Sequence, residues 1–432
     1  MNSRQQASLS PRLSRLALGV AALCGVCAPL GAQAADAQAI ANALASVNFY
    51  GFLNGEVEAV KAEGGTTPYS TRGRVTDGNS RVGVNGTIAI SPTTRGVWQL
   101  EASLNDFDQG GVNDLGQSTT LTSRNSFVGI EDDRYGRLIV GNMDSAYRSL
   151  IGSGGAMGGN MGLSVLGLDL WNNTSAQLTG NNYSLFSRGE ARYKNSIHYT
   201  SPTYFGLQAS ASLSFDEGHS DGLNHNRYSL ALKYENGPFK AGIAADQQSN
   251  TGVDIDRLQQ GFGLQNDSQQ GVNTHYLKAQ ASYMLPTGTY LGVGIEQSNY
   301  GYGIFTPPSG SVFYPVLTNG HMKQTGVMLS VAQEVTKDAT LMLSLGSLGN
   351  MKGAAFAAND DYRASQYSVG GKYRFNKNLT AYVYGTRIKN HAQASVNLGQ
   401  NPLYSVNTGT SGAYLAPGDS PQAAGVGLIA SF

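Results

Sequence analysis

Residues 204–215 read Tyr204-Phe205-Gly206-Leu207-Gln208-Ala209-Ser210-Ala211-Ser212-Leu213-Ser214-Phe215. Phe205, Leu207, Ala209, Ala211, Leu213 and Phe215 share one parity, and Gln208, Ser210, Ser212 and Ser214 share the other. Successive side chains of a β-strand point to opposite faces, so this period of two marks a strand with one apolar and one polar face. The segments on either side repeat the pattern. In 226–235, Tyr228, Leu230, Leu232 and Tyr234 alternate with Arg227, Ser229, Ala231, Lys233 and Glu235. In 190–200, Ala191, Tyr193, Asn195, Ile197 and Tyr199 alternate with Arg192, Lys194, Ser196, His198 and Thr200.

Further out, similar alternation occupies 47–60, 79–91, 96–107, 121–131, 136–143, 238–247, 275–285, 288–298, 324–335, 338–348, 364–375, 378–389 and 422–432, which predicts sixteen strands. Some junctions are brief and carry turn residues, such as Asn236-Gly237-Pro238, Pro286-Thr287-Gly288 and Asn376-Lys377-Asn378. Others, such as Asn250 to Gly271 and His391 to Pro421, are long and polar. Short turns alternating with long loops describe an antiparallel meander with two different ends.

A soluble propeller or a pair of sandwiches also alternates. Their buried faces are fed by Ile, Val, Leu and Phe. Here the apolar parity is often Tyr, Ala or Gly, and the opposite parity carries Arg, Lys, Glu and Gln. Charges set repeatedly across from an apolar face fit a polar lumen inside a transmembrane barrel, whose spanning segments average out as mildly polar. Mean hydropathy is accordingly −0.24. Tyr193, Tyr199, Tyr228, Tyr234, Tyr283 and Tyr373 are candidates for aromatic girdles at the two membrane interfaces.

The amino-terminal residues set the compartment. Arg4, Arg12 and Arg15 precede an apolar stretch from Leu16 to Leu30, and Ala32-Gln33-Ala34 forms an A-x-A cleavage site, so residues 1–34 read as a secretory signal peptide. Both cysteines, Cys24 and Cys27, fall within it. A mature chain from 35 to 432 therefore has no thiol for a disulfide framework, a cysteine-ligated metal or a redox motif. Loss of three arginines leaves 26 basic against 29 acidic residues, which gives no reason to expect nucleic acid as a partner. No linker divides the mature chain, which reads as one domain.

One connection stands apart. Between the strands near Met143 and Glu190 lies a segment containing Gly152-Ser153-Gly154-Gly155-Ala156-Met157-Gly158-Gly159, followed by Leu163, Val165, Leu166, Leu168 and Trp171. Loops of that length are usually functional. Folded inward, this one narrows a pore, with the glycines lying close to a wall and the apolar residues holding them there.

Taken in order, several motifs resemble the general porin family of β-proteobacteria, the trimeric sixteen-stranded kind of Neisseria and Burkholderia relatives. They are Phe49-Tyr50-Gly51, Ser80-Arg81-Val82-Gly83-Val84-Asn85-Gly86, Gln99-Leu100-Glu101, Ser123-Arg124-Asn125-Ser126-Phe127-Val128-Gly129-Ile130, Tyr135-Gly136-Arg137-Leu138-Ile139-Val140-Gly141, Arg192 through Pro202, and Gly425-Val426-Gly427-Leu428 leading to Phe432. The resemblance implies a homotrimer in contact with outer-membrane lipid and lipopolysaccharide. It also implies a constriction loop at about 142–189 and passive diffusion of small hydrophilic solutes. Arg81, Arg124 and Arg192 match family arginines on a basic wall opposite that loop. Phe432 matches the terminal aromatic read by the barrel-assembly machinery. The chain departs from the family at Gly141-Asn142-Met143, where Gly-Arg-Gln is common, and at His198, where a basic residue is common. Both departures weaken the anion preference that the resemblance implies.

By this register Lys194 and His198 join the arginines as pore-lining candidates. Asp144 and Asp169, the only acids between Met143 and Ser187, are the expected acidic side across the constriction. A lone histidine is most simply a wall residue. No cofactor and no metal site is expected, since the one close grouping, His219, Asp221 and His225, falls in a loop. No serine, base and acid converge as a nucleophilic enzyme requires. The rival readings are a channel specific for a dicarboxylate, sugar or phosphate, and, more distantly, a non-conducting adhesin.

Overall fold

The computed structural model describes residues 46–64, 69–76, 80–104, 124–150, 189–218, 222–251, 272–302, 320–353, 361–394, 396 and 417–432. Seventeen β-segments form one antiparallel sheet: β1 (Val47–Glu63), β2 (Tyr69–Thr76), β3 (Arg81–Ala89), β4 (Thr94–Ser103), β5 (Ser126–Asp132), β6 (Gly136–Asp144), β7 (Arg192–Thr200), β8 (Leu207–Ser214), β9 (Arg227–Asn236), β10 (Phe239–Gln248), β11 (Thr274–Met284), β12 (Thr289–Tyr302), β13 (Gly320–Glu334), β14 (Ala339–Leu348), β15 (Ala364–Asn376), β16 (Leu379–Asn390) and β17 (Ser420–Ser431). One short helix, α1 (Ala146–Ser149), follows β6.

The expected sixteen strands are present as sixteen staves. Strand β1 has 17 residues, and two shorter segments share its flank. Val47–Phe52 pairs with Arg81–Gly86 of β3, and Glu56–Ala62 pairs with β2. Thus β2 and β3 form one interrupted stave. The sequence reading missed β2 because Ser70, Thr71, Arg72 and Gly73 carry no apolar parity.

Closure runs from Phe52↔Ser431 to Glu63↔Ser420 between β1 and β17. It extends one step further, where the Gly51 and Phe432 main chains exchange N–H···O bonds of 3.1 and 3.0 Å. Gly51 permits this seam: a Cβ there would lie 2.7 Å from the Phe432 ring and 2.6 Å from the Arg81 carbonyl oxygen. Closing the sheet leaves no unpaired edge among the described strands, which a hydrocarbon environment requires.

The outer parity is apolar and exposed, as along Val327, Leu329 and Val331 of β13 and Leu341, Leu343 and Leu345 of β14. The inner parity of the same strands is Met328, Ser330, Ala332, Met342, Ser344 and Gly346, all buried. Brief turns at 90–93, 133–135, 237–238, 285–288, 335–338 and 377–378 gather at one end, together with Phe432. Exposed Phe49, Tyr135, Tyr204, Tyr283, Tyr373 and Phe375 ring that end as a girdle. Tyr193 does not join it, and its true position bears on the site.

Candidate constriction site

The third long connection leaves β6 at Asp144, and its first turn lies along the inner wall. Ser145 caps α1 by accepting the Arg148 N–H at 3.1 Å. The Ala146 N–H donates to Ser212 Oγ of β8 at 2.8 Å, and the Tyr147 N–H donates to Ser229 Oγ of β9 at 2.6 Å. Leu150 then packs beside Gly242 of β10, where a Cβ would come within 2.5 Å of its Cδ1. The Leu150 carbonyl accepts from Gln280 Nε2 of β11 at 2.6 Å. Inward-facing serines thus satisfy the amide groups that a helix start leaves without partners. The returning end is fixed at the same strand: Glu190 pairs with Lys278 Nζ, which also lies 4.0 Å from the Tyr147 ring centroid. Residues 151–188, including Asp169, lie outside the described residues.

Beside this root sits a cluster of charges. The buried Glu101 of β4 accepts Arg124 Nε at 2.7 Å, has Arg81 Nη1 at 3.8 Å, and accepts the Tyr50 hydroxyl at 3.0 Å. The Tyr50 ring fits over Gly83, where a Cβ would lie 2.3 Å from its Cζ. Arg81 also stacks 4.7 Å above the Phe52 ring. Arg124 precedes β5 rather than lying within it, and its backbone N–H donates to the Glu101 carbonyl at 3.1 Å.

Asp144 is the second carboxylate. Its Oδ1 lies 2.7 Å from Arg148 Nε and 3.1 Å from Arg192 Nε, contacts that are ion pairs by distance without hydrogen-bond alignment. Asn125 ties the group together, donating to Asp144 Oδ2 at 2.9 Å and accepting the Asp144 N–H at 3.0 Å and Arg192 Nε at 3.1 Å. Four guanidinium groups therefore surround two carboxylates.

Three expectations change. Asp144 lies among the arginines, not across the lumen from them. Lys194 does not share the inner parity with His198: Asn195 has φ 47° and the β6–β7 register shifts between Gly141 and Met143, a bulge that reverses the faces beyond it. Lys194 is exposed, while Tyr193 turns inward and donates its hydroxyl to Asp246 Oδ2 on β10. His198 keeps its inward parity but is buried behind the loop root.

The histidine's neighbours fix its hydrogen-bond directions. Ser196 Oγ lies 2.7 Å from both the Gly141 and Tyr193 carbonyl oxygens, so its proton is engaged there and it accepts from His198 Nε2 at 2.8 Å. His198 Nδ1 then accepts from Ser212 Oγ at 2.8 Å, the same hydroxyl that accepts the Ala146 amide. Arg148 and Glu190 were not among the expected site residues. The i,i+4 spacing of Asp144 and Arg148 across a Ser145 cap was the available signal for the first.

Residues 19–393 match the Gram-negative porin family. The chain belongs to that family. This porin is a diffusion channel of the outer membrane, built as a closed sixteen-stranded barrel. An outer membrane porin protein of Bordetella pertussis is 24% identical over 337 residues, covering 72% of this chain and 77% of the relative. Among solved structures, an anion-selective porin from Comamonas acidovorans superposes with a TM-score of 0.63 at 18% identity, covering 90% of this porin and 99% of that chain. OmpF of Salmonella typhi, in complex with daunomycin, gives 0.56 at 16% identity, covering 89% and 97%. A trimer form of OmpT from Vibrio cholerae gives 0.57 at 12% identity, covering 90% and 99%.

Proposed function

We propose that the channel passes small hydrophilic solutes and ions with a weak preference for anions, set at the root of the third loop. The observation that carries this reading is the ratio of four guanidinium groups, on Arg81, Arg124, Arg148 and Arg192, to two carboxylates, on Glu101 and Asp144. Their excess positive charge is held on one wall. In a narrow throat with low-dielectric walls such a field is less screened than in bulk and raises the local concentration of counter-ions. The preference is weak because each arginine is already engaged by a carboxylate, and because His198 and Asn142 bring no fixed charge.

The test is the reversal potential of single channels in unequal KCl. The double variant Arg81→Ser/Arg192→Ser is expected to shift it toward cations. An unchanged potential would remove these residues from the ion path.

The reading extends to assembly. The exposed apolar faces of β1 and β17, including Val57, Val426 and Leu428, suit either lipid or a neighbouring protomer of a homotrimer. Phe432, seated on Gly51 at the seam and 59% exposed, suits a terminal signal for the barrel-assembly machinery. Electrophoresis before and after boiling distinguishes trimer from monomer.

A further inference from the structure

Across the sheet from the charged cluster, the inner wall formed by β11–β16 has a different chemistry. The strand registers align Ser282, Gly292, Ser330, Ser344, Ser368 and Thr386 in one continuous row across six strands. Residues directly opposite in antiparallel strands hold their side chains close together, so the hydroxyls form a belt. Uncharged side chains flank it. The row on one side runs from Gln280 through Met328 and Gly346 to Gln366, and the row on the other includes Tyr290, Ala332, Met342 and Tyr384, all buried.

These three successive rows contain no charged side chain. On these strands carboxylates and ammonium groups resume only beyond them, while at the β16 end the Tyr384 hydroxyl bonds Glu56 and Glu58 of β1. Lys278 and Glu296 stand 3.8 Å apart at one limit, and Glu334 and Lys372 occupy the row at the other. Within the belt, Ser368 and Thr386 bond each other at 2.7 Å. Ser330 Oγ and Ser344 Oγ, cross-strand neighbours with 3% and 2% relative exposure, have no hydrogen-bond partner.

From this juxtaposition, and resting on the channel reading above, we infer that the belt is a binding subsite for neutral polyhydroxylated solutes of sugar-alcohol or monosaccharide size. Such a molecule carries hydroxyls that can donate to and accept from Ser330 and Ser344. It also presents C–H surface to Met328, Met342 and Ala332. Mixed apolar and convergent polar lining is the usual chemistry of a small-molecule site. At Ser330 and Ser344 an anion would shed hydration with no counter-charge to replace it. Water can satisfy the serines but gains nothing from Met328, Met342 and Ala332.

The probes are sorbitol and tetraethylene glycol, which are similar in size but differ in hydroxyl number, added to single channels in symmetric KCl. Sorbitol is expected to lower conductance saturably, beyond its effect on bulk conductivity, whereas the glycol lowers it only in proportion to bulk. Ser330→Ala/Ser344→Ala is expected to raise the half-saturating sorbitol concentration by about fivefold or more, the usual worth of lost hydrogen bonds. Ser330→Thr, which keeps a hydroxyl, is expected to retain saturation and serves if the double variant does not assemble. Equal, linear effects of both probes would overturn the inference while leaving the channel intact, as would an unchanged half-saturation in the double variant. Absence of any KCl conductance would overturn the channel reading and the subsite with it.

Discussion

The wall of β3–β7 and the wall of β11–β16 obey the same alternation of polar-in and apolar-out, yet their inner chemistry is opposite. On the first, four arginines and two carboxylates are locked together through Asn125, Tyr50 and the loop root. On the second, a hydroxyl belt runs between uncharged rows. Period two therefore specifies only which parity faces the lumen. What that parity carries depends on what else is anchored there. Charges gather where the third loop leaves β6, because a loop folded against a wall desolvates that wall, and paired charges tolerate desolvation better than single ones. The pairing also restrains long side chains, so the positive field has a fixed position.

The sharpest way to break the comparison is to remove the carboxylate that organises the charged wall. Glu101→Gln leaves Arg81 and Arg124 next to each other, and both are largely buried, with 12% and 6% of their side chains exposed. Removing one partner of a buried pair costs on the order of 3 kcal/mol. The urea midpoint of the variant in lipid vesicles is expected to fall accordingly, whereas Ser344→Ala on the neutral wall should leave it within error. Similar midpoints for the two variants would mean that the arginine cluster is no more constrained than the belt.

Next in size is the fastening of the loop root. Ser212 and Ser229 accept the Ala146 and Tyr147 amides in the barrel interior, and each lost acceptor strands an amide donor at a cost of about 1 to 3 kcal/mol. Ser212→Ala/Ser229→Ala should therefore increase open-channel current noise without altering the number of assembled channels. Quiet channels in the double variant would show that Glu190, Lys278 and Leu150 hold the loop without the serines.

These contacts also mark how far the sequence could be read. Sixteen staves were legible because Leu207 to Phe215 and its fifteen counterparts alternate locally, and alternation needs no knowledge of partners. Arg81, Arg124 and Arg192 were named from the order of family motifs, which carries no information on the contacts among them. Three features were not legible. The split of the second stave at β2 is imposed by the length of β1. The bulge at Asn195, which exchanges Lys194 for Tyr193 on the inner face, depends on one positive φ that an asparagine tolerates but does not announce. Asp144 was expected opposite the arginines because its place depends on the direction taken by α1. The belt of Ser330, Ser344 and Ser368 was invisible for a related reason: its members are far apart in sequence and meet only through register.

A smaller effect separates charge from fold on the basic wall. Asp144→Asn removes one negative charge while keeping an amide able to meet Asn125. A unit charge about 8 Å from a permeant ion in water is worth roughly 0.5 kcal/mol, favourable for the anion and unfavourable for the cation, so the anion-to-cation permeability ratio should rise about fivefold. This sign is opposite to that expected of Arg81→Ser/Arg192→Ser. Reversal potentials moving in the same direction for both variants would indicate that structural disturbance, not charge, controls selectivity.

The smallest expected effect lies outside both walls, in the clip between the loops that precede β15 and follow β16. Arg363 holds the Asp361 carboxyl well below the usual carboxylate range through Nε and Nη2 contacts of 2.8 and 2.6 Å, and His391 Nδ1 lies 2.9 Å from the same carboxylate. A carboxyl with a depressed folded pKa contributes fully above its unfolded value of about 4, and that contribution is lost as pH falls through the folded value. Between pH 8 and 5 the Asp361 carboxyl should therefore add no change of its own to hydrogen exchange at the His391 and Gln393 amides, which bond to the Arg363 and Asp361 carbonyls. Protection contributed by the carboxylate should decline only below about pH 4. Asp361→Asn should remove this acid-dependent component without altering conductance, since the carboxylate pairs with Arg363 and His391 and not with the arginine cluster. A conductance change in that variant would instead tie the outer loops to the charged wall.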